Sequence, residues 1–360
     1  VIDGQEYVVP MAVEETSIIA GISHAAKWIR NHGEITTQSL GQLGLGQIQL
    51  PKVKDMLQVK QLIAMHKDQL IQMANEEPAH SLFKRGGGVK DILVREILRP
   101  DGQTMAVLHL LVDTCDAMGA NNINQICEFL KEPVEELLNE KVGLCILSNL
   151  MDGKIVRAKV VIKKINGALG NAIAEASLFA QLDPYRAATN NKGVLNGIDG
   201  VLIATGNDWR AVEASVHAYA ARSGQYTSIT KWDMQDQQLH GIFEAPIAVG
   251  IVGGVTKLHP IAQICLKMLR VKSAAELARV VAAVGLVQNL AAIRALSTQG
   301  IVKGHMKLHI SNLAVAAGAT EEELPFVKEQ LIEKLKEHKR VTESDAKAVL
   351  AHLRNSLRNS

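Results

Sequence analysis

The sequence predicts a mixed α+β protein in which strands and helices fall into separate blocks. Residues 42–152 carry short β-prone runs and amphipathic stretches in turn, whereas the rest is dominated by long, Ala-rich segments of helical period. Aromatic residues are only 3% while Gly numbers 28, a composition that suits close helix packing and tight turns better than an all-β sandwich. At 360 residues the chain is sized for about two or three domains, and 47% apolar with 21% charged residues supplies a core and a solvated surface. Lys plus Arg (39) against Asp plus Glu (37) leaves +2, without the basic excess of a nucleic-acid or membrane-surface binder. Cys115, Cys127, Cys145 and Cys265 have neither CxxC nor metal-ligand spacing, which favours reduced thiols. There is no run of eighteen apolar residues and no basic-then-apolar leader, so a cytoplasmic protein is expected.

The opening, Val1 to Pro10, reads as half a hairpin: an Asp3-Gly4 turn followed by a β-prone run, with the first strand expected upstream of Val1. Helical period runs from Glu14 to Arg30, with Ile18, Ile19, Ile22, Ala25, Ala26 and Ile29 on one side. A strand is predicted over 46–50, then a long helix over 53–75 with the stripe Leu57, Ile63, Leu70 and Ile71. Strands over 91–98 and 105–112 are joined by the Pro100-Asp101-Gly102 turn. A helix over 116–130 and strands over 144–147 and 155–162, separated by Asp152-Gly153, complete this block. Beyond it lie a helix over 166–182, a buried strand over 201–204 and a helix from Asp208. Ser273-x-x-Glu276 has capping-box form and opens a helix through Ala295. Thr320-x-x-Glu323 and Thr342-x-x-Asp345 mark two further helix starts in a charged tail, which fits a mobile lid or a plain helical hairpin equally.

No GxGxxG follows a strand and no GxxxxGK[ST] occurs, so neither a Rossmann site nor a P-loop is supported. The Asp116-Ala117-Met118-Gly119-Ala120-Asn121 segment suits a close backbone approach to a phosphate, and equally an ordinary helix start. The polar stretch Asp183 to Gly193 reads as a loop, either merely solvated or ligand-binding. Arg186 and Lys192, with Asp208 after an apolar run, suit an anionic substrate that develops an oxyanion. Glu14-Glu15 before an apolar helix is explained by the helix dipole alone. His305 and His309 have i, i+4 spacing, but no HExxH glutamate and no third ligand, and two surface histidines fit as well. Spacing alone reaches an enzyme-like α/β protein.

Four stretches go further. VPMAVEETSIIA (9–20), DAMGANNIN (116–124), DPYRAATNNKGVLNGID (183–199) with ATGNDWRAVEA (204–214), and KGHMKLHISNLAVAAGA (303–319) resemble the class II, bacterial-type 3-hydroxy-3-methylglutaryl-coenzyme A (HMG-CoA) reductases. The resemblance covers nearly the whole chain and lacks the family's N-terminal portion, in keeping with the half hairpin. It implies a large helix-rich substrate and dimerisation domain (1–41 and 153–301), an inserted small α+β, non-Rossmann NAD(P)-binding domain (42–152), and a C-terminal helical flap (302–360). It also implies two hydride transfers that convert HMG-CoA to mevalonate and CoA, or the reverse, and a homodimer with the active site between subunits.

By motif, the implied catalytic residues are Glu15, Lys192, Asp208 and His305. Lys192 would stabilise the alkoxide formed as hydride adds to the thioester carbonyl, with Asp208 holding that Lys. Glu15 would donate to the aldehyde oxygen in the second reduction, and burial near Asp208 is expected to keep it protonated. His305 would protonate the departing thiolate. Ser17, Asn149, Arg186, Thr189 and Asn196 resemble the substrate side, with Arg186 on the free carboxylate. Asp116, Met118, Gly119 and Asn121 resemble the pyrophosphate segment, and no metal is implied. NADH-preferring relatives carry an acidic residue where this chain has Pro78-Ala79-His80-Ser81 followed by Lys84-Arg85, so NADPH preference or dual use is expected. A CoA-thioester lyase or acyltransferase without hydride transfer is the competing reading.

Overall fold

The computed structural model describes residues 1–298, 300, 310–338 and 340–358. Helix α1 (Thr16–His32) buries Ile18, Ile22, Ala25 and Ile29, while Ile19 faces outward. It leads into strand β1 (Gly33–Ser39), and a short link then carries the chain to β2 (Leu43–Val53). Asp55 caps α2 (Met56–Glu76) by accepting from the Gln58 N–H, and the buried stripe is Val59, Ile63, Leu70 and Ala74; Leu57 lies on the exposed side. The one-turn α3 (His80–Phe83) precedes β3 (Gly88–Leu98), which pairs with β4 (Thr104–Asp113) across the foreseen turn, Gly102 taking φ +77°. Helices α4 (Ala120–Phe129) and α5 (Lys131–Leu138) and strand β5 (Cys145–Ser148) follow.

The chain then returns as β6 (Ile155–Ile162), α6 (Gly167–Leu182), α7 (Pro184–Ala204) and α8 (Trp209–Ala220), the last three each N-capped by the side chain that precedes them: Asn166, Asp183 and Asp208. Strands β7 (Thr230–Gln235) and β8 (Gln238–Pro246), short α9 (Gly254–Leu258), α10 (Pro260–Leu269) and α11 (Ala274–Leu296) complete the main body. Residues 310–316 are helical (α12), followed by α13 (Leu324–His338) and α14 (Glu343–Arg358). Both tail capping motifs form: Thr320 with Glu323 and Thr342 with Asp345 exchange backbone-to-side-chain hydrogen bonds.

Two antiparallel four-stranded sheets organise the molecule, in the orders β1-β6-β8-β7 and β3-β4-β2-β5. The first is covered by α11, with α7 and α1 packed against that helix. α2, α4 and α5 build a second core on the other sheet, and α12 to α14 form a small third core around Ile310, Leu331 and Leu350. The chain leaves the first sheet after β1 and rejoins it at β6, and the two crossings lie side by side: Leu40 N–H donates to Ile155 O (2.8 Å) and Leu43 N–H to Gly153 O (3.0 Å). Helix α11 is the one described helix long and apolar enough to cross a membrane, yet 78% of that apolar window is buried in the first core.

Several expectations are corrected. Residues 184–193, capped by Asp183, are the first half of α7 and 201–204 its last turn, so neither a loop nor a strand is present there. The misreading has a physical cause. Asn190 and Asn191 are buried anchors: Asn190 donates to Ser228 Oγ (2.8 Å), and Asn191 donates to Thr227 O (2.9 Å) and accepts from the Ile229 N–H (3.1 Å). The last turn of α7 is apolar on every side, with Val201, Leu202 and Ala204 buried and even the exposed Ile203 apolar, which erases the helical period. The opening is a turn closed by an Ile2–Gln5 bridge and tied to β1 through Asp3 N–H and Ile35 O (3.0 Å), with no strand after it. Helix α4 begins at Ala120, since Asp116 to Gly119 form a turn. Strands β5 and β6 belong to different sheets, and β1, β7 and β8 were not foreseen.

Candidate active site

The foreseen substrate-side residues of α7 share one stripe. Arg186, Thr189, Lys192 and Asn196 recur at steps of three, three and four, so they lie along one side of the helix, opposite the buried anchors Asn190 and Asn191. Arg186 is half-buried, and burial lowers its pKa; Thr189 and Lys192 are exposed and Asn196 is half-buried. Among the described residues Lys192 makes no hydrogen bond or ion pair. Its stripe is thus a row of polar groups with a cation at its centre.

Glu15 is the N-cap residue of α1, where a non-helical backbone (φ −128°, ψ 121°) turns the chain into the helix, and it accepts from the Ser17 hydroxyl (2.5 Å). The segment before it is pinned to α7 by Ala12 N–H to Gly200 O (2.9 Å). The burial foreseen for Glu15 is absent in the single chain, where it is exposed. The carboxyl withdrawn from solvent is Asp199, half-buried on α7 against Glu213 of α8; its buried Oδ1 has no hydrogen-bond partner among the described residues. Burial first, then Glu213 and Glu14, raises the Asp199 pKa, and Lys192 opposes the shift. This carboxyl pair was missed, because 183–193 was read as a loop and 201–204 as a strand, which hid the helix that carries Asp199.

Asp208 sits at the head of α8, its Oδ1 accepting from the Ala211 N–H (3.1 Å) with Arg210 Nε at 3.7 Å. Among the described residues no hydrogen bond or ion pair joins Asp208 to Lys192, so the foreseen hold of Asp208 on Lys192 is not made within one chain. His305 lies outside the described residues, as does His309. A little further along, Asn312 on α12 approaches Thr16 (Nδ2 to Oγ1, 3.5 Å), which brings the tail to the start of α1 beside Glu15 and Ser17. Asn149 is exposed after β5, its carbonyl accepting from the Met151 N–H (2.8 Å).

The second group surrounds the turn before α4. Gly119 takes φ +96° as N-cap, and a Cβ there would collide with Thr114. No side chain caps α4, so its first N–H groups are open to an anion, with exposed Asn121 on the first turn. Met118 packs its side chain into the second core, and Asp116 is committed to scaffolding: Oδ1 accepts from Ala274 N–H at the head of α11 (2.8 Å). The Gly87 backbone abuts this turn, with a Cβ there 2.6 Å from both Asp113 O and Cys115 Sγ. That contact brings the exposed His80, Ser81, Lys84 and Arg85 to the same end of the sheet. An uncapped helix start, a glycine cradle and a basic flank together fit a phosphorylated dinucleotide. A cavity of about 650 Å³ elsewhere, lined by Tyr7, Ile19, Ala26 and Val287 among others, contains none of these groups. Among the described residues no cluster of His, Cys, Asp and Glu could hold a metal ion.

The chain is 47% identical over 336 residues to the 3-hydroxy-3-methylglutaryl-coenzyme A reductase of Archaeoglobus fulgidus, covering 92% of this chain and 76% of that one. It is 36% identical over 321 residues to the probable 3-hydroxy-3-methylglutaryl-coenzyme A reductase of Borreliella burgdorferi, covering 87% and 72%. The fold matches the class II enzyme of Streptococcus pneumoniae, solved bound to NADPH in open conformations, with TM-score 0.80, 39% identity, and 98% and 86% of the two chains covered. Fold and comparisons define an oxidoreductase built on two antiparallel sheets, without a Rossmann fold. The pattern of the hydroxymethylglutaryl-coenzyme A reductases matches residues 1–310, and the chain belongs to that family.

Proposed function

We infer that this protein reduces HMG-CoA to mevalonate and free CoA, using NADPH in two successive steps. The observation that carries the reading is the α7 stripe, which sets a guanidinium, a hydroxyl, an ammonium and an amide along one helix side. Arg186 binds the free carboxylate of the substrate, with Ser17, Thr189, Asn196 and Asn149 as further hydrogen-bonding partners. When bound, NADPH supplies hydride to the carbonyl carbon. The Lys192 ammonium faces the oxygen on which negative charge grows, and it stays charged without exchanging a proton. His305 gives a proton to the CoA sulfur as the thioester opens, and Glu15 gives one to the aldehyde oxygen in the second reduction.

Asp208 supports Lys192 from the second subunit of a homodimer, a reading favoured by the lack, among the described residues, of any hydrogen bond or ion pair between the two within one chain. Glu15 is then buried only on dimerisation. On the nucleotide side Gly119, Met118, Asn121 and the Asp116 turn hold the pyrophosphate, while His80 and Ser81, flanked by Lys84 and Arg85, face the ribose 2′ position and admit a 2′-phosphate. With four unpaired thiols the protein belongs in the reducing cytoplasm. The test follows absorbance of NADPH, and in parallel NADH, on mixing with HMG-CoA. Wild type consumes cofactor with a higher kcat/KM for NADPH, and Lys192→Ala loses turnover by a factor of about a thousand or more with its unfolding transition intact. CoA release without cofactor oxidation would overturn the reading.

A further inference from the structure

Lys154 is the most deeply buried cation described in this chain, 8% exposed, and the reaction as set out gives it no part. It follows the Asp152-Gly153 turn at the point where the chain rejoins the first sheet, and its stem runs under the turn before α4. Its Nζ donates to Thr114 Oγ1 (2.8 Å) and more weakly to Met118 O (3.4 Å). Thr114 in turn donates that hydroxyl proton to Ala117 O (2.7 Å), and its methyl group occupies the place a Cβ on Gly119 would need. The ammonium thus orders the turn from inside, through a relay that reaches Ala117 and Met118 and ends at the left-handed Gly119.

The outer side of the turn is fixed separately. Ile251 N–H donates to Asp116 O (2.9 Å), Ala274 N–H to Asp116 Oδ1, and Gly250 leaves room for the Met118 N–H. The foundation is complete without a charge, and burying an ammonium to brace a turn costs more than an apolar side chain of the same length would. A buried cation behind an uncapped helix start makes sense where an anion sits in front.

We propose that Lys154 is the positioning residue of the nucleotide turn, holding Thr114 to Gly119 in shape and setting a positive charge behind the N-terminus of α4, so that binding of the NADPH pyrophosphate depends on it. The proposal rests on reading that turn as the pyrophosphate segment. Burial lowers the Lys154 pKa to about 8, against the opposing pull of Asp113 and Cys115. These two are the titratable groups that face it. The other surroundings, Ser39, Gly41 and Gln42 from the β1–β2 link, Val156 of β6, Ile247 and Val249 after β8, and Ala274, Ala275 and Ala278 of α11, carry no charge. The charge is therefore present at neutral pH and lost as pH rises through about 8.

The test measures NADPH and HMG-CoA dissociation constants separately for the wild-type protein, Lys154→Met and Gly119→Ala. Lys154→Met is expected to weaken NADPH about tenfold or more, leave HMG-CoA binding unchanged, and leave kcat at saturating NADPH within about threefold. Wild-type affinity for NADPH should fall at least about fivefold between about pH 7 and about pH 9.5, and the Lys154→Met profile should be flat there. Should Lys154→Met fail to fold, the wild-type profile decides alone, and a flat one overturns the proposal. Unchanged NADPH affinity in Lys154→Met, or equal loss for both ligands, also overturns it. If Gly119→Ala weakens NADPH while Lys154→Met does not, only the role of Lys154 fails. If Gly119→Ala leaves NADPH binding intact, the turn is not the pyrophosphate segment and both readings fall together.

Discussion

The Asp199 carboxyl keeps its proton where most carboxyls have lost theirs, and this has a sign that can be measured. Its folded pKa is raised by burial and by Glu213, so the native state binds a proton that the unfolded chain releases above about pH 4. Stability is unaffected below that pH and declines as pH rises towards the folded value. Asp199→Asn removes the penalty: its melting temperature should match wild type near about pH 4 and exceed it by on the order of a few °C at about pH 8.5. Calorimetry across that range checks it, and an equal pH slope in both proteins would count against the half-buried pair. At this scale the sequence was legible by motif and opaque by spacing. Arg186, Thr189, Lys192 and Asn196 were named, yet their common stripe was hidden because a polar run with two asparagines looks like a loop until those amides are seen in the core.

Helix starts were the readable elements. Ser273 accepts from the Glu276 N–H (3.1 Å), as the S-x-x-E pattern dictates, while the Glu276 carboxylate accepts from the Lys272 N–H (2.8 Å), one residue before the cap. Strands β7 and β8 were missed because their identity depends on partners distant in sequence: Gly241 of β8 sits against the Trp232 ring of β7, which is itself fixed by Nε1–H to Asn289 Oδ1 of α11 (2.7 Å). No local pattern announces that fit. Gly241→Ala forces a methyl group into the indole and should destabilise the protein by about 1–3 kcal/mol, read as a lower denaturation midpoint at unchanged slope.

At the scale of the whole molecule, a mixed α+β protein was legible from block composition, but the division of strands between sheets was not, since β5 and β6 are near neighbours in sequence and belong to different sheets. Equilibrium sedimentation should give a particle twice the 39.0 kDa chain, and Lys192→Ala mixed with Asp208→Ala should recover part of the lost turnover if each site takes these residues from different subunits. No recovery in exchanged heterodimers would place both groups on one chain.

The adjacent crossings beside Gly41 and Gly153 carry a last consequence. Since Leu40 already bonds to Ile155 and Leu43 to Gly153, the ladder between β1 and β6 is closed before the excursion begins. A linker of a few residues would bridge the gap without disturbing the host ladder. In evolutionary terms the excursion is a cassette: a gene could acquire, lengthen or exchange it at one locus while inheriting the host sheet unchanged.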